Sequence, residues 1–451
     1  MMRALFAGVS GLRNHQVRMD VIGNNIANVN TVAFKSSRVT FAESFNQLLQ
    51  GATRPPANSG GRNPTQIGNG MNIASIDTKF TQGTIQSTGI KTDVAISGDA
   101  FFVVKGNGKT LYTRAGNFQF DAKGRLVSPS NGFVVQGINA DALGNFSSSS
   151  AVGDIDLTLN TKSPARATAN LSLAGNLNLN QRITQTSPTT ASEPHQMSIT
   201  AYDTAGQAHN LVMTFKQVFA GTPPVPDNTW TYSVTSTTAK VEALDSAATP
   251  GTALLDADQG KVTFNASGQM TDFSNGLVGL SADPVKIRVT PTSGGKSFDI
   301  LLDPGSVNDI NGLSQFSNPS NAVFTAQDGY TSGDLQDMSI DSTGVITGFY
   351  TNGVSRPVAQ LSLSSFNNPT ALLRRGDNMF EPSANSGVPV LGFAGTSSTS
   401  TITASSLESS NVDLSEQFTD MITAQRGFQA NARVITIADE MLTELVNLKR
   451  G

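Results

Sequence analysis

Cysteine is absent from all 451 residues. That excludes disulfides, thiolate nucleophiles and most structural zinc sites together. It also suits a chain exported unfolded, because no thiol can be oxidised on the way. Charge is scarce too: 14% of residues are Asp, Glu, Lys or Arg, against about 25% in an average soluble protein. The formal net charge is −4 and no dense Lys/Arg run occurs, which excludes the basic patch of a nucleic-acid binder. No stretch approaches the ~20 consecutive apolar residues that span a bilayer, so no membrane insertion is expected. The opening residues, Met1-Met2-Arg3-Ala4-Leu5-Phe6-Ala7-Gly8, carry one basic residue but no long apolar core and no small-residue cleavage site. A Sec signal peptide is not expected. The three histidines, His15, His195 and His209, form no H-x-x-x-H pattern. Nucleophile elbows and phosphate-cradling glycine loops are missing as well. The sequence therefore predicts no catalytic residues, no cofactor and no metal site.

What is present is Asn, Ser, Thr, Gln and 42 Gly, a composition that favours turns and neutral hydrogen bonds. A chain of this length suggests two to four domains. Its two ends resemble each other and differ from the middle. At the front, Leu5, Val9, Leu12, Met19, Ile22 and Ile26 recur at helical steps, with Gln16 completing the series. At the back, Leu414, Phe418, Met421, Gln425, Phe428, Ala432, Ile435, Leu442 and Leu445 largely repeat that pattern. The front helix is expected to reach Ala27, where the run from Asn24 to Asn30 loosens it. Asp413 is placed to cap the back helix, Glu416 completes a capping-box-like pair, and Lys449-Arg450 lie at its negative end. Gly427 interrupts that helix, either as a weak spot, a bend or a place of close approach. Gly8, Gly11 and Gly23 thin the wall of the front helix. Such narrow stripes fit coiled-coil-like seams between helices, and the ends are expected to order fully only on assembly.

Between the ends the reading is β. A short helix is predicted over Arg38 to Leu49, followed by an irregular stretch through Pro55-Pro56, Gly60-Gly61 and Asn63-Pro64. Val94-Ala95-Ile96 and Phe101-Phe102-Val103-Val104 are apolar strands. The signal D/N-x-x-G recurs at Asp121–Gly124, Asp141–Gly144, Asp203–Gly206, Asn265–Gly268 and Asp341–Gly344, each expected to be a hairpin tip. Asn139–Ser150 lacks the alternating acids of a calcium loop, so a turn is preferred there. The expected architecture is multidomain α+β with discontinuous domains. Residues 1–30 and 412–451 form the terminal helical core, and 31–70 with 407–411 a connector. A first β domain spans 71–152 and 329–406, and an inserted outer β domain 153–328, both mainly antiparallel.

Several motifs also resemble a known family. Leu5-Phe6-Ala7-Gly8-Val9-Ser10-Gly11-Leu12, with Met19-Asp20-Val21-Ile22-Gly23-Asn24-Asn25-Ile26-Ala27-Asn28-Val29-Asn30-Thr31, is similar to the N-terminal signature of bacterial flagellar rod and hook proteins. Ile96-Ser97-Gly98-Asp99-Ala100-Phe101-Phe102 and Tyr112-Thr113-Arg114-Ala115-Gly116-Asn117-Phe118 resemble that family's first β domain. Ser410-Asn411-Val412-Asp413-Leu414 and Gln425-Arg426-Gly427-Phe428-Gln429-Ala430-Asn431-Ala432 resemble its closing helix. Two departures stand out: Ala33 and Ala100 occupy positions where the family usually has glycine. The large middle block points to the hook branch rather than to distal rod or hook-associated proteins.

The resemblance implies a self-polymerising structural subunit located outside the cell in the flagellar hook. Its helices would line an inner tube, its β domains would form the shell, and the tube would bend while passing torque from rod to filament. It implies as partners other copies of itself, the rod, the hook cap, the hook–filament junction proteins and the flagellar type III export apparatus. Phe6 and Val9 would then be candidates for early contact with the export gate. A secreted β-rich carbohydrate-active protein is the alternative from another class, though a single Trp and five Tyr offer few aromatic platforms.

Overall fold

The computed structural model describes residues 2–54, 60–141, 144–146, 151–157, 162–180, 183–186, 189–220, 225–244, 250–254, 260–274, 285–395 and 400–448. Pro55-Pro56 and Lys449-Arg450 lie outside the described residues. The chain divides into two compact units. One comprises Met1–Asn160, Asp337–Phe349 and Ser355–Gly451; the other comprises Thr161–Gln336 and Tyr350–Val354.

The first unit holds the two α-helices, α1 (Met2–Ala27) and α2 (Leu414–Leu448). α1 stops where Asn side chains take over its last carbonyls: the Asn28 amide donates to the Asn24 carbonyl at 2.9 Å. Asp413 caps α2, its Oδ1 accepting from the Ser415 and Glu416 N–H groups at 2.8 and 3.2 Å. The Glu416 carboxylate turns to Lys79 at 3.4 Å. At 1.5 Å per residue, the 35 residues of α2 extend about 52 Å. Among the described residues no helix is long and apolar enough to cross a membrane.

The β-body of this unit is an antiparallel sheet. Val345–Tyr350, Ser355–Leu361, Val134–Asn139, Phe101–Gly106, Lys109–Thr113 and Met379–Glu381 lie side by side in that order. Its central strand explains the uninterrupted apolar run. Alternate side chains point to opposite faces, so Phe102 and Val104 join one core with Val94, Ile96, Phe118 and Leu361. Phe101 and Val103 join a second core with Tyr112, Phe366 and Phe380. Both faces are buried, so polar alternation is lost. Asn107 and Gly108, both at positive φ (52° and 75°), make the two-residue turn into the next strand.

The second unit has one hydrophobic core shared by two sheets, with Leu171, Met213, Phe215, Trp230, Ile287 and Ile300 inside it. One sheet is the antiparallel set His195–Tyr202, Ala208–Ala220, Val225–Ser236, Gly260–Phe264 and Met270–Ser274. The other departs from the antiparallel rule, because Asn170–Asn178 runs parallel to both Phe298–Asp303 and Leu313–Phe316.

The five D/N-x-x-G signals all form turns. Gly124, Gly144, Gly206, Gly268 and Gly344 have φ between 72° and 85°, and each donates its N–H to the carbonyl of the opening Asp or Asn at 2.9–3.1 Å. The opening side chain adds a second brace. Asp121 Oδ1, for example, accepts from both Lys123 N and Arg125 N at 2.8 Å.

The helix expected over Arg38 to Leu49 does not form. Ser37–Glu43 and Asn46–Gln50 are strands instead, paired with Met71–Thr78 and Thr65–Gly68. Val39, Thr40 and Phe41 favour extended backbone, and partners about thirty residues away supply the hydrogen bonds. The helical spacing of Phe41, Phe45, Leu48 and Leu49 was coincidental: Phe45, Leu48 and Leu49 are exposed.

Candidate assembly interface

α1 and α2 lie antiparallel and close together. Asn25 meets Gln417 (amide to Oε1, 2.9 Å), Arg18 meets Asp420 (2.9 Å), Gly11 faces Asn431 and Gly8 faces Ile435. As residue numbers rise along one helix, they fall along the other. The contacting positions recur at steps of three, four and seven residues, one side of a helix. On α1 they are Gly8, Gly11, His15, Arg18, Ile22 and Asn25. On α2 they include Gln417, Asp420, Gly427, Asn431 and Ile435, and Ala424 and Ala438 are buried at related spacing.

This seam is made largely of small and polar side chains. A Cβ placed on Gly11 would lie 2.7 Å from the Asn431 side chain, and one on Gly427 only 2.5 Å from the His15 ring. Glycine here permits close approach, which decides among the three readings of Gly427. Nothing lies within 4 Å of a Cβ at Gly23.

The apolar residues singled out from the sequence are placed unevenly. Ile22 is buried, at 4% exposure. Leu5, Leu12, Met19, Ile26, Met421, Phe428, Ile435 and Leu442 are half-buried, while Val9, Leu414, Phe418 and Leu445 are exposed. Phe6 is 60% exposed. On α1 the apolar stripe runs beside the seam except at Ile22, so within a single chain it is only partly covered and Val9 is exposed. Sequence reasoning missed the seam because it followed hydrophobicity. The available signal was the same 3–4 spacing carried by Gly8, Gly11, His15 and Arg18.

At the root of the helix pair, four segments converge on one buried carboxylate. Glu408 Oε1 accepts from Lys35 Nζ at 2.6 Å and from the Gly83 N–H at 2.8 Å. Arg114 stands 3.6 Å from Glu408 Oε2 and lies over the Phe101 ring at 5.2 Å. The Lys35, Arg114 and Glu408 side chains are at most 1% exposed. Burial pulls the Lys35 ammonium below its ordinary pKa, and the Glu408 carboxylate opposes that pull. Two asparagines of the sequence motifs complete the root. Asn25 bonds both N–H and C=O of Ser37 at 2.9 and 2.8 Å, while Asn411 joins Ser36 N to Lys79 O at 2.7 and 2.9 Å.

Ala33, one of the two departures, sits at φ 56° and donates its N–H to the Glu408 carbonyl at 2.8 Å. An alanine there carries about 1–2 kcal/mol of left-handed strain. Ala100 is not among the positive-φ residues, and its N–H meets Ser400 Oγ at 3.2 Å.

The seam contains one group that titrates near neutrality. Burial first, and the neighbouring Arg18 second, push the His15 imidazole below its ordinary pKa. A depressed value means the folded seam prefers the neutral ring. Its contribution is therefore complete above about pH 6.5 and falls as pH drops through the lower folded value. Helix content followed by circular dichroism from pH 8 to 5 is expected to fall in the wild type. The fall should be shallower in His15→Gln; equal slopes would remove His15 as the cause.

Comparisons with known proteins agree along the whole chain. Four family models match: "Flagella basal body rod protein" over residues 5–35, "Flagellar hook protein FlgE/F/G D1 domain" over 95–181, "Flagellar basal body protein FlaE D2 domain" over 176–330, and "Flagellar basal body rod FlgEFG protein C-terminal" over 403–448. The flagellar hook protein FlgE of Treponema pallidum is 39% identical, with 100% of both chains covered. That of Borreliella burgdorferi is 37% identical, again with 100% of both covered. That of Escherichia coli is 32% identical over 99% of this chain and 100% of its own.

Proposed function

Because the chain belongs to the bacterial flagellar hook protein family and is a structural subunit of the hook, not an enzyme, we propose that α1 and α2 polymerise it into a curved, flexible tube that transmits torque. The observation that carries this reading is the division of each helix into two faces. A seam built mainly of glycine, alanine and polar side chains, with Ile435 against Gly8, pairs α1 with α2. Beside it, Phe6, Val9, Phe418, Ile422, Ile437 and Met441 stay exposed. A monomer gains nothing by exposing them, whereas neighbouring copies would bury them. The site residues of this reading are Leu5, Val9, Leu12, Met19, Ile22 and Ile26 on α1, with Leu414, Phe418, Met421, Phe428, Ile435, Leu442 and Leu445 on α2.

The same seam makes the pair weak in isolation, because it removes little apolar surface from water. Both helices should exchange amide hydrogens quickly in a dilute monomer and slowly in the polymer. Protection equal to that of the β-body in both states would contradict this. The low charge of the remaining surface supports bending, since neutral and water-mediated contacts exchange cheaply as subunits slide. Rod, cap, junction proteins and the type III export apparatus are the proposed partners, and the exposed Phe6, together with Val9, supports an early contact in export.

The test is electron microscopy of the purified full chain beside a version lacking residues 1–30 and 412–451. Curved tubes from the first and monomers from the second are expected. Tubes from the trimmed chain would assign polymerisation to the β units instead. A third variant lacking residues 2–12, expressed in a flagellated host, should fail to be secreted; normal secretion would move the export signal elsewhere.

A further inference from the structure

One part of the first unit reaches away from the rest of it. The strands Ser37–Glu43 and Met71–Thr78 continue outward as a two-stranded ribbon. The link runs through Ser44 N to Gly70 O (3.0 Å) and Asn69 N to Phe45 O (2.9 Å), then Asn46–Gln50 paired with Thr65–Gly68, to Thr53 N on Arg62 O (3.0 Å). Its inner part follows α1 toward that helix's N-terminus. Asn25 bonds Ser37, His15 packs edge-on against Phe41 (5.9 Å), and Ser10 and Asn14 reach Met71. Beyond that point every described residue from Ala42 to Asn69 is exposed, including Phe45, Leu48, Leu49 and Ile67. From Phe45 to Thr53 the arm is roughly 27 Å long.

An isolated two-stranded ribbon is marginally stable in water, and its open edges and apolar side chains invite a partner. The charge of this arm is one-sided. Between Glu43 and Asp77 the sequence has no acidic residue and two basic ones, Arg54 and Arg62. A surface of opposite character exists on the same molecule. The last turns of α2 expose Ile437, Met441, Leu445 and Val446 beside Asp439, Glu440 and Glu444. Between Arg433 and Lys449 that helix has no basic residue. Within one chain the described apolar residues of both surfaces remain exposed.

We propose that the arm of one copy docks on the apolar, acidic face at the C-terminal end of α2 in a second copy. This rests on the assembly reading above and gives it a specific contact. Apolar side chains would supply the buried area, while the arginines at the tip would set orientation and encounter rate.

The absence of native cysteine makes the test direct. Full-length Leu48→Cys and full-length Met441→Cys are prepared separately and mixed in equal amounts, so any disulfide between the two positions must join different chains. The mixture is assembled into tubes, oxidised and run on a denaturing gel. A cross-linked heterodimer is expected in tubes and not in the unassembled mixture. Tubes without that band above the unassembled background would overturn the docking while leaving assembly intact. A wild-type chain that forms no tubes would overturn the assembly reading and the docking with it. As an independent readout, Arg54→Glu with Arg62→Glu should slow elongation about tenfold. Adding Glu440→Arg and Glu444→Arg to the same chain should restore it, and failure of that rescue would break the proposed pairing.

Discussion

Glu408→Gln is expected to destabilise the first unit by about 3–5 kcal/mol, because it takes from the buried cations Lys35 and Arg114 their nearest counter-charge and leaves only the weaker field of Asp99. Glutamine is nearly isosteric and still offers an acceptor to Gly83 N, so the loss would report charge rather than shape. The effect should exceed that of any exposed ion pair in this unit. Arg18–Asp420, with side chains 25% and 40% exposed, falls in the class contributing about 0–1 kcal/mol. Chemical denaturation of the full chain, followed by a probe in the β-body, measures the change. The triple replacement Lys35→Met, Arg114→Met and Glu408→Leu separates the causes. Removing all three charges should recover most of the loss, since apolar groups replace buried ions at little cost. If Glu408→Gln unfolds at the wild-type denaturant concentration, the cluster is not holding the root of the helices.

The second large effect is predicted in the seam. Gly11→Leu combined with Gly427→Leu should abolish tube formation. Neither side chain has room: Asn431 is pinned by its own bond to the Gly427 carbonyl (2.9 Å), and the His15 ring is held against Phe41. Overpacking of this kind costs about 1–3 kcal/mol at each site, enough to part a seam that buries few apolar groups. Leucine has a much higher helix propensity than glycine, so each isolated helix should become more helical while the pair is lost. Gly23→Ala is the control. With nothing within 4 Å, it should gain about 0.5–1 kcal/mol and leave the tubes unchanged. Tubes of normal yield from the double leucine variant would mean that α1 and α2 do not pair this way in the polymer.

Much of the local structure was legible in advance. Asp121–Gly124 and its four relatives needed only four residues each, because an Asx side chain and a glycine at positive φ specify a turn without help from afar. The start of α2 was equally local, as Asp413 caps it from one residue before the first helical position. The segment 38–49 went the other way. Its apolar spacing fitted a helix, but the strands Met71–Thr78 and Thr65–Gly68 offer it hydrogen-bonded partners, and nothing within the segment announces them. Hydrophobicity alone did not single out the positions of α1 that meet α2 within one chain. The contact with α2 belongs to Gly8 and Gly11, whose value lies in having no side chain.

By itself, the sequence determined the two terminal helices, the five Asx-glycine turns, and that the ends are amphipathic while the middle is β. These follow from propensity, periodicity and turn chemistry, which act over a few residues. Only the tertiary structure decided which helix face pairs and which is left exposed, that residues 44–53 and 62–70 stand out as a ribbon, and that Lys35, Arg114 and Glu408 meet. Those outcomes depend on contacts between residues far apart in the chain, where close approach and burial outweigh local preference. Lys35 and Glu408 are 373 positions apart, and no periodicity links them.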